Sequence, residues 1–471
     1  MSQRHTANNL PLPPGHHGHW LLRVREQVKD PLGVIVRAHQ RHGDVVFFND
    51  IMGPTYLLAH PDHAQRVLVD NARNFAVMGK SATGVMGNGL FASTGDFWLR
   101  QRRMVQPVFH RARLTKMVRD MVAETQALAE HWDQAVRTGE SVNLLEQMRT
   151  LVLTLLGASL FSPDVYAGQQ ALREGAAIIS HSANESPFDS LWWLLLRRLK
   201  VPRLGGDQWR ATVAAVDRAL YALVAERRKN PEGRDDILSM LLEARDSRGE
   251  GMTDKEVRDE LATLLIGGHE STAVGLTWVW YALMLHPEVE QRVREELATV
   301  LGGHAPGGEA IQSLTYTRAV VEETLRLYSP AWRLRRLVLE DEQIDGWTVR
   351  AGSQVMLSPY LLHRHPSVWK DPERFDTERF SPGQKEGRHR HAWLPFGGGQ
   401  RLCVGNAYAL TLLVTVIATL LPRFQTRLVP GHPVVPMAVG TYRPRSGIQA
   451  TLHAAPPLAH GSSSTSKVLS S

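Results

Sequence analysis

One uninterrupted helical pattern limits what this sequence can become. Thr253-Asp254-Lys255-Glu256 reads as a capping box, with Thr253 at the N-cap and Glu256 three residues on. Apolar positions recur through Val257, Leu261, Leu264 and Leu265 to Leu285, where His286-Pro287 stops the helix. At about 1.5 Å per residue such a helix is about 48 Å long and crosses a whole molecule. The rest of the chain must pack around it. Its centre is out of character: Gly267-Gly268-His269-Glu270-Ser271-Thr272 sets two glycines, a carboxylate and two hydroxyls into an apolar helix. Each glycine costs about 1 kcal/mol against alanine. A tight helix crossing would account for the glycines alone, but a local conflict of this kind tends to mark function.

The chain has 471 residues, 43% of them hydrophobic, enough for a large core with subdomains. One cysteine excludes disulfides and zinc sites built on several thiolates. With 54 Lys+Arg against 47 Asp+Glu the net charge is only +7, so nothing demands nucleic acid. The first twenty residues hold no apolar run fit for a signal peptide, and the stretches 151–156 and 191–196 are too short to cross a bilayer. The expectation is a cytoplasmic protein with no transmembrane anchor. His16, His17 and His19 read as loop histidines in a Pro/Gly-rich leader, and the Ser-rich end as a disordered tail. No repeat or long linker divides the chain. Strand-like runs at 44–48 and 55–59 flank a hairpin signal, 97–301 is mostly helical, and short strands at 335–339 and 354–357 follow. The fold class is mainly α with small β-sheets.

The only cysteine stands in Phe396-Gly397-Gly398-Gly399-Gln400-Arg401-Leu402-Cys403-Val404-Gly405, ahead of a helical segment at 407–421. A helix N-terminus favours the thiolate. Glycines let the backbone pass close to something flat or bulky, and Arg401 could neutralise an anionic group on it. No histidine lies nearby to make Cys403 a nucleophile. A lone soft thiolate in such a loop suits the axial position of a haem iron.

This stretch resembles, position for position, the haem-binding signature of the cytochrome P450 superfamily, Phe-x-x-Gly-x-Arg-x-Cys-x-Gly. Gly267 to Thr272 resembles the oxygen-activating segment of the family's long helix. Glu323-Thr324-Leu325-Arg326 is similar to its Glu-x-x-Arg pair, and Pro372-Glu373-Arg374-Phe375 to the segment whose arginine completes that network. The resemblance covers nearly the whole chain. It implies a leader at 1–12, one haem domain at 13–456 and a tail at 457–471, with the haem between the long central helix and the cysteine-loop helix. The cofactor would be haem b, iron protoporphyrin IX, ligated by Cys403 and contacted by Phe396, Gly399 and Gly405. Trp98 and Arg102 resemble the family's Trp-x-x-x-Arg pair toward a propionate. Arg336, with Arg335 a near competitor, and Arg401 would complete the propionate contacts. Glu323, Arg326 and Arg374 would form a scaffold lock.

By the same resemblance Glu270, Ser271 and Thr272 deliver protons from a locally widened helix. Ser271 departs from the family's usual threonine, and Leu412 stands where glutamate is common. The substrate pocket would be lined by the loop 77–91 (Val85, Met86, Leu90), by Leu264 and Leu265, by Trp332 and Leu334, and by the turn at Val439; 190–196 would lie near its entrance. The segments 328–332 and 357–360 are similar to bacterial members that oxidise carotenoids or fatty acids. The implied activity is insertion of one atom of O2 into a lipophilic molecule such as a fatty acid, terpenoid or carotenoid. Too few residues follow Cys403 for a fused reductase. NAD(P)H would thus act indirectly, through a reductase and a ferredoxin- or flavodoxin-type partner docked on Arg100, Arg102, Arg103, Arg111, Arg113 and Lys116 of a monomer. The alternatives are a haem-thiolate peroxygenase or isomerase, against which Glu270-Ser271 speaks, and a non-catalytic haem sensor.

Overall fold

The structure is a computed structural model that describes residues 11–19, 24–50, 53–78, 83–184, 206–231 and 234–455. The readings of residues 1–10, of the 190–196 entrance segment and of the 457–471 tail lie outside these residues. The site rests on helices α1 (Gly95–Val105), α2 (Arg111–Thr138), α3 (Leu144–Phe161), α4 (Asp254–Leu285), α5 (Thr315–Leu327) and α6 (Asn406–Leu420). The capping box of α4 closes in both directions. Thr253 Oγ1 accepts from the Glu256 N–H at 3.3 Å, and Glu256 Oε2 accepts from the Thr253 N–H at 2.7 Å.

Helix α4 is buried from Val257 to Leu283 except on one short face, because other helices enclose it. Helix α3 packs along it, and α6 crosses it at a glycine. A Cβ built on Gly275 would lie 3.6 Å from both Leu325 and Leu413 side chains, so α4, α5 and α6 meet there. Behind this crossing Trp132 stands 5.4 Å from Trp280 and 5.4 Å from Phe424, ring to ring. Fully buried side chains of this size contribute about 1.5–3 kcal/mol each. Leu412 is fully buried in α6, so an apolar residue suits the position where the family has glutamate.

Helix α3 is also long and apolar enough to cross a membrane, although the sequence reading gave it only a six-residue apolar core. In the fold 72% of that span is buried, which marks α3 as a core helix packed on α4.

A six-stranded sheet flanks the helices. Its strands are β1 (Gly15–His16), β2 (Val45–Asp50), β3 (Gly53–Leu58), β4 (Phe75–Val77), β5 (Leu334–Val338) and β6 (Gln354–Leu357), ordered β1-β2-β3-β6-β5-β4. The hairpin falls where the sequence places it, with Val45 opposite Leu58 and Asp50 opposite Gly53. Its strands run further into the turn than the pattern suggests. Strand β5 pairs antiparallel with β6, Arg335 opposite Met356 and Arg336 opposite Val355. Successive side chains on β5 point to opposite faces, and this separates the roles of its two arginines.

Candidate active site

Between Val257 and Leu283 the exposed positions of α4 are Gly267 and Ser271, one turn apart on one face, with half-buried Leu264 and Gly268 beside them. A Cβ built on Gly267 would meet nothing within 4 Å. Exposure in the middle of an otherwise enclosed helix means an internal opening. Cys403 carries accessible surface, yet burial pushes its thiol pKa up. It therefore lines an opening inside the protein, not the outer surface. The Gly405 N–H and the charge of Arg102 pull the other way without prevailing. Proximity to a helix N-terminus alone does not generate the thiolate here.

The cysteine loop is held by its own backbone and by Leu68. The Cys403 N–H donates to the Phe396 carbonyl at 3.0 Å. Gly399 sits at φ 63°, and a Cβ there would lie 1.9 Å from the Leu68 carbonyl oxygen, so glycine is required on both counts. Phe396 stacks its edge near Trp393, ring centres 6.2 Å apart, and Gly405 is the N-cap of α6.

Three guanidiniums converge beside this loop. Helix α1 is tied to the start of α4 by Arg100 and Gln101, which donate to Glu256 Oε1 at 2.8 and 2.9 Å. This sets Trp98 and Arg102 one turn apart on α1. Arg401 lies over the Trp98 ring at 3.9 Å and donates to the carbonyls of Leu90 and Ser93 at 3.3 and 2.9 Å. Arg102 donates to the Leu402 carbonyl at 2.9 Å, and Arg336 to the Arg335 carbonyl at 2.8 Å. None of the three has a carboxylate partner among the described residues. Burial first, then the charges of Arg336 and Arg102, push Arg401 down to about 10. Arg335 is no competitor: its guanidinium is committed to Asp50 at 2.9 Å and Gln354 at 3.0 Å on the other face of β5.

A cluster of enclosed cations without anions is costly unless something brings negative charge. Two carboxylates on a flat group whose iron takes one thiolate answer both needs, so the residues present fit iron protoporphyrin. Cys403 would ligate it, and Arg102, Arg336 and Arg401 would hold its propionates.

The scaffold lock forms, with one change of member. Glu323 and Arg326 are both completely buried and paired twice, Arg326 Nε to Oε2 at 2.7 Å and Nη2 to Oε1 at 2.8 Å. Arg374 does not bring its guanidinium; only its carbonyl accepts, from Arg326 Nη2 at 3.1 Å. The second guanidinium is that of Arg379, 3.6 Å from Glu323. The chain turns at Asp371, φ 46°, and the Arg374 N–H closes that turn on the Asp371 carbonyl at 3.0 Å. Sequence reading also missed His363. Its Nε2 accepts the Leu394 N–H at 2.7 Å, so Nδ1 carries the proton it gives to the Arg326 carbonyl at 2.9 Å. Burial pushes this imidazole down to about 3. Through it the lock reaches the strand of chain that enters the cysteine loop.

The hydroxyl-acid segment differs from expectation in two ways. The helix is α throughout, with no widened turn, and Ser271 Oγ donates to the Gly267 carbonyl at 3.3 Å. Glu270 faces away from the opening and is clamped by Arg149 of α3, Nε at 2.9 Å and Nη2 at 2.6 Å. Thr272 is buried. Ser271 alone of the three faces the opening.

Of the pocket residues, Leu264 borders the α4 face, and Val85, Met86 and Leu90 lie on the loop bound to α4 by Glu260, which accepts the Leu90 N–H at 3.1 Å. Trp332 is fully buried in a side cluster and donates to the Val439 carbonyl at 3.3 Å, so it supports the wall instead of lining it. Its neighbour Arg333 is the exposed one. The basic docking surface is partly neutralised: Arg100 pairs with Asp246 and Glu256, and Arg113 and Lys116 share Asp235.

The cytochrome P450 family model matches residues 12–451, and the chain belongs to the cytochrome P450 family. It is similar to cyclooctatin synthase of Streptomyces melanosporofaciens, 32% identical over 92% of this chain and 92% of that protein. Cyclooctat-9-en-7-ol 5-monooxygenase of the same organism is 34% identical over 83% of this chain and 84% of its own. Pentalenene oxygenase of Streptomyces avermitilis is 32% identical over 86% and 89%. Among solved structures, the cytochrome P450DA heme domain superposes with TM-score 0.81 at 23% identity, covering 95% of this chain and 99% of that one. The fold is the cytochrome P450 fold, mainly helical with small sheets among the described residues. By family and by its named relatives the chain is a haem-containing cytochrome P450 monooxygenase.

Proposed function

We propose that this monooxygenase oxidises a terpenoid or similarly shaped lipophilic molecule in the cytoplasm, with electrons passed from NAD(P)H through a reductase and a ferredoxin- or flavodoxin-type protein. The observation that carries the reading is the exposed yet enclosed Cys403 beside three arginines with no carboxylate partner among the described residues, together with the open Gly267–Ser271 face of α4. The named terpenoid oxygenases among the relatives support the substrate class.

When bound, the haem supplies the electron and O2 chemistry. The chain's residues do the rest. Arg102, Arg336 and Arg401 would hold the cofactor's carboxylates, and Trp98 holds Arg401 in place. Gly267 leaves the opening beside α4 clear, since a Cβ there would meet nothing within 4 Å. Ser271 Oγ–H, now returned to the Gly267 carbonyl, can rotate about χ1 to hold a proton over the opening. Glu270 is held by Arg149 on the far side, away from that hydroxyl. Leu264, Val85 and Leu90 keep bulk water out. Arg103 and Arg111, free of carboxylate partners among the described residues, are the cations left for an acidic electron donor.

The test is turnover with a ferredoxin, its reductase and NADPH on tricyclic sesquiterpenes and fused-ring diterpenes under isotopically labelled O2. One labelled oxygen in the product supports the reading. Product formed equally well with peroxide and no redox partner would favour a peroxygenase.

A further inference from the structure

We propose that Arg333 is a carboxylate-binding residue of the substrate pocket, so that this enzyme takes an acidic lipophilic substrate, a terpenoid or fatty acid, by its charged end. The inference rests on the monooxygenase reading above.

Arg333 precedes β5 in Pro330-Ala331-Trp332-Arg333-Leu334. Its side chain is exposed by accessible surface, yet burial is the largest influence on its charge and brings its pKa down to about 10. A side chain with open surface in such surroundings stands in an opening of the protein, as Cys403 does. Its contact is with the Trp332 ring, 4.5 Å from the guanidinium carbon. No carboxylate, carbonyl or hydroxyl of the described residues hydrogen-bonds to it.

This cation is separate from the propionate group. Arg401 feels the charges of Arg336 and Arg102, whereas Arg333 feels those of Arg335 and Asp50. Alternation along β5 gives the same division. Leu334 and Arg336 share a face, and Leu334 lies 3.9 Å from a Cβ built on Gly397 of the cysteine loop. Arg335 turns to the opposite face, toward Asp50 and Gln354. Asp50 pairs with Arg335 at 2.9 Å, and its charge offsets only part of the burial of Arg333. An enclosed guanidinium lacking a counter-ion is retained against its desolvation cost only if an anion arrives. The planar donor fork matches a carboxylate bidentately, and the Trp332 ring beside it is apolar. A greasy molecule with one carboxylate satisfies both.

The experiment is a spin-state titration of the haem-loaded enzyme with lauric, palmitic and abietic acids, each beside its alcohol and methyl ester. At least one acid is expected to bind about tenfold to a hundredfold tighter than its alcohol and ester, the worth of a hydrogen-bonded charge. Arg333→Gln abolishes that preference while alcohols bind as before, and Arg333→Lys restores part of it. Equal affinity for acids and alcohols, no binding of any acid, or equal loss of both classes in Arg333→Gln would overturn the proposal. A carbon-monoxide difference spectrum on the same samples separates the two readings. If the thiolate-type band is present and the acid preference absent, only the role of Arg333 fails. If the band itself is absent, the haem-thiolate reading fails with it.

Discussion

Replacing Glu323 by glutamine isolates the charge of the scaffold lock while keeping its shape. In the native protein Glu323 accepts from Arg326 twice and from the Asp376 N–H at 2.8 Å, with Arg379 3.6 Å away. Arg326 gives its remaining donors to the carbonyls of His363, Pro372 and Arg374 at 2.9, 2.7 and 3.1 Å. Glutamine can turn one oxygen to that fork, and its NH2 then faces an N–H. The result is a buried guanidinium with no counter-ion, which costs about 3–5 kcal/mol. That is about a fifth or more of the roughly 5–15 kcal/mol that separates folded from unfolded proteins. The control is Glu373→Gln. Glu373 pairs with Arg364 at 2.9 and 3.1 Å, but its side chain is 72% exposed, so the loss is expected below about 1 kcal/mol. Urea unfolding of the haem-loaded variants, followed by far-UV circular dichroism, measures both. Equal midpoint shifts in the two variants would refute the claim that burial makes this pair matter.

Other expectations follow from the same geometry. Ser271→Ala leaves folding intact, since the side chain faces the opening, but lowers product formed per NAD(P)H several-fold; an unchanged ratio would refute its proton-handling role. Arg149→Ala strands Glu270 among buried groups and lowers stability by about 3–5 kcal/mol, read as a fall in urea midpoint. Glu260 is pushed from 4.5 up to about 8, by burial first and then by Asp259 and Glu256. The folded state thus holds a proton that the unfolded chain releases near 4.5, and stability falls as pH rises from there to about 8. Glu260→Gln should match wild type near the low end of that window and be more stable by a few kcal/mol near the high end, at about 1.36 kcal/mol per pH unit. A parallel pH profile for the two proteins would contradict this.

Local chemistry was legible in the sequence wherever neighbours in the chain are neighbours in space. The capping box, the end of α4 at His286, the hairpin and the Glu323–Arg326 pair are contacts within four residues or across a tight turn. Residues that act by their direction were not legible. Arg374 and Arg379 both lie near the lock, and only the folded chain shows that Arg379 sends its guanidinium to Glu323 while Arg374 gives its carbonyl to Arg326. Trp332 and Arg333 are adjacent, and spacing alone names the aromatic residue as the pocket wall although the fold buries it. His363 had no motif at all. Its role depends on Leu394 and Arg326 coming together from 31 and 37 residues away. Helix α3 was underestimated because its apolar positions are spread around the whole circumference, which only enclosure on all sides explains.

The account stands on Cys403 as the ligand of a haem iron. A carbon-monoxide difference spectrum of the reduced protein tests this most directly. The account predicts a thiolate-type band in wild type that disappears in Cys403→Ala while far-UV circular dichroism stays that of a helical protein. A band of the neutral-ligand type in freshly prepared wild type, or a thiolate-type band that survives in Cys403→Ala, would contradict it.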